Sequence, residues 1–300
     1  MPNIRSVIFN GSVARATGCA FVLSLLAACA AAPQRTTPAA GTSGADANLN
    51  AVAWMQTSVE HDLVYRSVYR GASDRLLQAL VDPDWDALPA GDRERSAHGL
   101  PPAVIVDIDE TVLDNSPYQA RLLRDGKSYE KASWNAWCRE KAATALPGAV
   151  EFAQLAARHG VTVFYISNRA VEVAPETLEN LRATGFPIAA DADVFLGQGR
   201  QVDGCTPADR SDKSCRRRLV GRSHRVLLQL GDQLGDFFET EAATPAARRA
   251  AAATWTGWFG VRWFMLPNPS YGNWEPALFG NDWSLPASEQ RAAKLKNLTY

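Results

Sequence analysis

The sequence predicts an α/β protein built on a parallel sheet with helices on both faces. Three observations carry that prediction. Val104-Ile105-Val106, Val161-Thr162-Val163-Phe164-Tyr165-Ile166 and Val226-Leu227-Leu228-Gln229-Leu230 are continuous apolar runs rather than alternating ones, which marks strands buried on both faces. Helical patterns lie between them, and strands that alternate with helices pair in parallel through crossovers. Each run ends in a polar cluster: Asp107-Ile108-Asp109, Ser167-Asn168-Arg169, and Gly231-Asp232-Gln233-Leu234-Gly235-Asp236. Ligands of open parallel sheets sit beyond the carboxyl ends of the strands, so these clusters fall where a site belongs.

Taken in order, the chain opens with Arg5 and Arg15 before the apolar stretch 19–26, followed by Ala27-Ala28-Cys29. This reads as a secretory signal over residues 1–28 ending in a lipobox. The stretch is short for a membrane span, which favours cleavage before Cys29 and acylation of its thiol over an uncleaved anchor or a plain signal peptide. Ala30 follows the cysteine where bacterial lipoproteins of the inner membrane carry Asp, so a lipid-anchored outer-membrane protein is expected. Residues 29–49, rich in Ala, Pro, Thr, Gly and Ser, read as a flexible tether. The remaining residues, roughly 250, suffice for one large domain or a core with a small accessory domain.

Between Asn50 and Val81, the apolar positions Val52, Met55, Val59 and Leu63 recur at three- and four-residue steps, predicting one or two amphipathic helices. Pro83 and the segment Pro89 to Arg95 break the pattern before the first strand. Pro147 opens and Gly160 closes a helix with Val150, Leu155 and Ala156 on its apolar face, and a helix over Pro175 to Thr184 is stopped by Gly185. Val261 to Leu266 reads as a further strand, ending in the turn-rich Pro267-Asn268-Pro269-Ser270-Tyr271-Gly272.

A net charge of −1 gives no long-range attraction for a nucleic-acid polymer, so small ligands are expected. Of five cysteines, Cys19 leaves with the signal and Cys29 takes lipid, which leaves Cys138, Cys205 and Cys215. Cys205 and Cys215 bracket a short polar loop and are disulfide candidates in an oxidising compartment, with two free thiols as the alternative. Cys138, beside Trp137 in an apolar pattern, reads as a buried structural thiol rather than a nucleophile.

Residues two apart in a strand project to one side, so Asp107 and Asp109 can reach one small volume. Two like charges that close call for a divalent cation. A carboxylate can attack phosphorus and form an aspartyl-phosphate, which makes Asp107 the candidate nucleophile. Mg²⁺ would neutralise it against a phosphate dianion, with Asp232 as a second hard ligand and the main-chain carbonyl of Asp109 as another. The Asp109 carboxyl would protonate the leaving alkoxide and later deprotonate water. Asp236 either orients the site, through hydrogen bonds or a metal-bound water, or is an ordinary helix-start acid. Ser167 can give a hydroxyl and its N–H to phosphate oxygens. The basic run of Arg210, Lys213, Arg216, Arg217, Arg218, Arg222 and Arg225 reads as a solvated helix face from which one cation could serve a phosphate pocket.

Asp107-Ile108-Asp109-Glu110-Thr111-Val112-Leu113-Asp114-Asn115-Ser116-Pro117-Tyr118 resembles motif I of the haloacid dehalogenase superfamily, subfamily IIIB, in the form of the class C acid phosphatases. These are bacterial outer-membrane lipoprotein phosphatases and 5′-nucleotidases. Ser167 matches motif II, Lys213 motif III, and Asp232 through Asp236 motif IV, in order. The likeness extends from Ala51-Val52-Ala53-Trp54-Met55-Gln56 to Leu266-Pro267-Asn268 and Gly272-Asn273-Trp274-Glu275. It implies a smaller helical domain beside the α/β core, formed by residues 50–100 and the end of the 101–300 segment. It also implies Mg²⁺ dependence, an acidic pH optimum, hydrolysis of phosphomonoesters such as nucleoside 5′-monophosphates, and a homodimer. By the same likeness, Trp134 and Tyr271 fall where the family stacks a base or an aromatic leaving group, and stacking is tolerant of which base. Trp137 reads as core. The sequence departs from the family in having Ser167 where relatives often carry Thr, and in the added loop Asp203 to Ser214 beside Lys213. The alternatives are a phosphotransferase on the same fold and a non-catalytic surface-binding lipoprotein, and the latter has no need of Asp107 and Asp109.

Overall fold

A computed structural model describes residues 46–207, 210–239 and 242–300. The signal over 1–28, Cys29 and the tether as far as residue 45 lie outside the described residues. The last residues of the expected tether are helical, with a 3-10 turn at Asp46–Asn48 leading into α1 (Leu49–Thr57) and α2 (Val59–Val81). Ser58 interrupts them with extended backbone (φ −85°, ψ 126°), and its hydroxyl accepts the His61 N–H at 3.4 Å. That break resets the helical phase. Val52 and Met55 of α1 are buried, but Val59 and Leu63, expected on the same stripe, are 62% and 56% exposed. The buried face of α2 is His61, Tyr65, Tyr69, Ala72, Leu76 and Ala79.

The strands are β1 (Pro102–Val106), β2 (Leu113–Asp114), β3 (Thr144–Ala145), β4 (Thr162–Ala170), β5 (Phe195–Gln198), β6 (Arg225–Gly231) and β7 (Trp263–Met265). Five of them form one sheet in the order β5-β4-β1-β6-β7, every pair parallel, while β2 and β3 make a short antiparallel ladder. The further helices are α3 (Ser116–Asp125), α4 (Lys131–Glu140), α5 (Ala149–Arg158), α6 (Ala174–Ala183), α7 (Ser214–Ser223), α8 (Pro245–Ala253) and α9 (Ala287–Lys296). The predicted α/β class with a flanked parallel sheet is what forms.

Ala103 through Val106 of the central strand are at most 2% exposed, because both sheet faces are covered. Each such Val or Ile side chain contributes about 1.5–3 kcal/mol by its burial. α5 presents Ala149, Phe152, Ala153 and Ala156 inward, so its apolar stripe is rotated from the expected one and Val150 and Leu155 lie at its edges. At the other sheet edge, the fully buried Trp263 ring sits 4.9 Å from both Trp255 and Trp258, and its Nε1 donates to the Ala87 carbonyl at 2.8 Å. The described residues form one compact unit, and the α2 side chains belong to the same core as the sheet. No helix among the described residues is long and apolar enough to cross a membrane.

α7 overturns one expectation. Its basic run is not a solvated face, since Arg216 and Arg217 are buried and direct donors to main-chain carbonyls and to Asn168 and Asp92. Arg225, in β6, likewise donates to the carbonyls that end α2.

Candidate active site

The register of the three central strands brings their polar ends together. Val106 is level with Tyr165 on one side and Leu230 on the other. One step further, the Asp107 N–H donates to the Leu230 carbonyl at 2.9 Å, and the chain then turns sharply, with the N–H groups of Thr111, Val112 and Leu113 all directed at the Ile108 carbonyl. Within that turn Glu110 takes the left-handed conformation (φ 54°), which a residue with a side chain adopts at a cost of about 1–2 kcal/mol. The turn is held from outside. Tyr65 of α2 donates to the Glu110 carbonyl at 2.6 Å and Tyr69 to the Thr111 carbonyl at 2.5 Å. The Glu110 carboxylate accepts the Asn115 N–H at 2.8 Å and the Tyr271 hydroxyl.

Asp107, Asp232 and Asp236, all buried, offer carboxylate oxygens within 4.8 Å of one another. Lys213, the residue before α7, donates from Nζ to Asp107 Oδ1 and Asp236 Oδ1, each at 2.6 Å. Gly231 makes room for this, because a Cβ there would overlap the Asp236 carboxylate. Asp236 Oδ2 accepts the Gln233 N–H at 2.8 Å, and Asp232 Oδ2 accepts from Gln233 Nε2 and Asn268 Nδ2, both at 2.8 Å.

Burial drives the Asp107 carboxyl well above the usual range, against the pull of Lys213 and with the push of Asp236 and Asp232. Burial and then Asp236 lift Asp232 to about 7, against the donors of Asn268 and Gln233. Burial alone would lower Lys213, but Asp107 and Asp236 hold its ammonium above the ordinary lysine value. Three carboxylates converge on one ammonium, with the buried Arg216 guanidinium behind it, and like charges held this close in a buried volume favour a cation among them. Hard oxygens at this spacing fit a divalent metal ion, with Asp107, Asp232 and Asp236 as the residues placed to hold it.

Asp109 lies in a second, adjoining network. Its Oδ1 accepts from Arg169 Nε at 2.8 Å and Asn115 Nδ2 at 2.9 Å, and its Oδ2 accepts from Ser167 Oγ at 3.2 Å. Asn115 is fixed in turn by Trp137 Nε1 at 2.7 Å and Arg169 Nη2 at 3.1 Å. Sequence reading missed Arg169 and Asn115 as site residues. The signal was present, as Arg169 closes the polar cluster after the second strand and Asn115 belongs to the motif that begins at Asp107.

Trp134 is nearly buried, with Tyr118 edge-on at 5.1 Å and the Arg169 guanidinium 5.7 Å from its ring. Tyr271 reaches Glu110 through its hydroxyl, and Gly272 beside it (φ 139°) has no room for a Cβ because the Gln233 amide lies there. Cys205 and Cys215 are bonded, so of the two alternatives the disulfide is the one formed. Cys138 is a free, buried thiol that burial pushes up to about 12, far from a reactive thiolate.

A carboxylate closing the central strand of a five-stranded parallel sheet, faced by acids and a lysine from the neighbouring strand and helix ends, is the architecture of the haloacid dehalogenase superfamily. Comparison with known proteins narrows it. Residues 27–274 match the model of the superfamily's subfamily IIIB (acid phosphatase), and the chain belongs to that family. The class C acid phosphatase of Bacillus anthracis has a similar structure, with a TM-score of 0.73 and 31% identity over 86% of this chain and 99% of that one. Its tungstate-bound form gives 0.73 and 32% over 85% and 98%. A more distant relative, Acid phosphatase 1 of Solanum lycopersicum, is 25% identical over 167 residues, which is 56% of this chain and 57% of that protein's length. The chain thus spans little more than half of that relative.

Proposed function

We propose that the chain is a Mg²⁺-dependent acid phosphatase that hydrolyses small phosphomonoesters, nucleoside 5′-monophosphates among them, through an aspartyl-phosphate on Asp107. The observation that carries this is the meeting of Asp107 with Lys213, Asp232 and Asp236 at the end of the central strand. Mg²⁺ held by Asp107, Asp232, Asp236 and the Asp109 carbonyl would supply positive charge against the phosphoryl oxygens. Lys213 already holds Asp107 Oδ1, so the second carboxylate oxygen is the one presented for attack on phosphorus. As that bond forms and the ester P–O bond breaks, Asp109 gives its proton to the departing alkoxide. Arg169 and Asn115 occupy Oδ1, which directs the transferable proton to Oδ2, the oxygen facing Ser167. In the second half, Asp109 takes a proton from water, whose oxygen attacks phosphorus and releases phosphate from Asp107. Lys213 remains as a donor for the equatorial oxygens, and the Ser167 hydroxyl joins it by turning away from Asp109 Oδ2.

Capture of tungstate, a tetrahedral oxyanion, by the Bacillus anthracis relative supports phosphate as the ligand here. Stacking of a base on Trp134 and Tyr271 would extend the substrate class to nucleotides. An acylated Cys29 would keep the enzyme at the outer membrane, where a nucleoside could be released for uptake. The test is phosphate release from a nucleoside monophosphate and from an aryl phosphate, with Mg²⁺ and with chelator, on wild type and Asp107→Asn. Turnover is expected only in the metal-supplied wild type. Equal turnover by the variant overturns the nucleophile assignment.

A further inference from the structure

We infer that Arg217 and Asp92, which touch neither substrate nor ion, form a positioning pair that fixes the turn carrying Asp236 and thereby sets the affinity of the carboxylate cluster for its divalent cation. The inference rests on the metal-dependent reading above. Arg217 Nε donates to Asp92 Oδ2 at 2.6 Å, and both side chains are buried. The same guanidinium donates from Nη1 to the Gly235 carbonyl at 2.9 Å and the Asp236 carbonyl at 3.4 Å. Arg217 stands one helical turn beyond Lys213, with its N–H bonded to the Lys213 carbonyl at 3.0 Å. One end of α7 therefore holds Asp236 twice. Lys213 grips the carboxylate and Arg217 grips the backbone.

Asp92 closes a 3-10 turn (Ala90–Asp92) that packs on α7 ahead of β1, outside every strand end of the site, and its Oδ1 also faces Arg218 Nε at 3.6 Å. A buried ion pair is a poor way to add stability, since apolar residues of similar volume do as well or better. What a planar guanidinium adds is direction, because its fork addresses a carboxylate and two successive carbonyls at once. Asp236 has both oxygens committed, to Lys213 and to the Gln233 N–H, so any movement of its backbone is passed to the carboxylate. Mg²⁺ demands near-ideal octahedral geometry at about 2.0–2.1 Å, and outer partners of metal ligands are commonly worth about 10–100-fold in affinity.

The test compares wild type, the double variant Asp92→Leu with Arg217→Met, and Arg217→Lys. The double variant removes both buried charges. Arg217→Lys keeps the charge opposite Asp92 but cannot reach both carbonyls, and it decides the question should the double variant fail to fold. Free Mn²⁺ is followed by electron paramagnetic resonance to give a Kd, and kcat, KM and half-saturating Mg²⁺ are measured beside Tm. The expected result is a folded variant whose Mn²⁺ Kd and half-saturating Mg²⁺ rise about 10-fold or more, with KM unchanged and kcat largely restored at saturating Mg²⁺. An unchanged Kd in a folded variant, whatever happens to kcat, overturns the positioning role and leaves the metal-dependent reading intact. Wild type that binds no Mn²⁺ overturns both.

Discussion

Replacing Cys205 and Cys215 together with serine tests how the loop they close is tied to the site. The bonded cysteines are 10 residues apart in sequence, and closing a loop of that length restricts the unfolded chain by about 2.7 kcal/mol at 25 °C. For a domain of this size each kcal/mol moves Tm by about 2–4 °C, so a fall of about 5–10 °C is expected. Calorimetry of the oxidised wild type, the reduced wild type and the double serine variant measures it, and the last two should agree. Cys215 lies in the first turn of α7, two residues after Lys213, so the perturbation bears on the site as well. Phosphate release at 25 °C should fall in parallel in the reduced and the serine forms. A change in Tm under about 1 °C, with both thiols shown to be free, would refute the reasoning, because the loop would then constrain neither the unfolded chain nor the start of α7.

Gly231→Ala places a methyl group where the Asp236 carboxylate lies, so phosphate release should drop by at least about two orders of magnitude while the far-UV spectrum stays native. Cys138 should resist iodoacetamide at pH 8 until the protein is unfolded, since a thiol pushed up to about 12 by burial carries almost no thiolate there. Reaction at the rate of an ordinary thiol in the native protein would contradict that. The native thiol ionises above its unfolded value, so its contribution to stability is intact below about pH 8.5 and declines as pH rises toward 12. Urea titrations of wild type and Cys138→Ala at pH 7 and pH 10 should therefore converge or cross at the higher pH.

The three strands that bear the site were legible because burial on both faces leaves no polar alternation, and their ends because each run breaks off in a polar cluster, with carboxylates after β1 and β6 and Ser167 in β4. β5 was not legible. Only four residues long and containing Gly197, it lacks a run of its own and owes its place to pairing with β4. The stripe of α1 and α2 was misread past Ser58 because periodicity cannot show where a helix restarts. Arg169, Arg216 and Arg217 share one obscurity. A charge within a basic or polar run ordinarily faces water, and what buries these is a carboxylate or carbonyl brought close only by the folded chain, such as Asp109 60 residues before Arg169 and Asp92 125 residues before Arg217. The small helices around the motif that begins at Asp107 went unassigned for a related reason, their inward faces being short and mixed, as with Ser116 and Tyr118 of α3.

The hydroxyls of Tyr65 and Tyr69 give the amino-terminal helices a bearing on protein engineering. A fragment cut at residue 101 would retain all seven strands of the described residues and every acid of the cluster. It would nonetheless lose the donors for the Glu110 and Thr111 carbonyls, and a chimera grafting only that fragment onto another amino terminus would inherit the same slack. α2 has to travel with the segment it fastens, and an affinity handle belongs ahead of Asp46, outside α1 and α2.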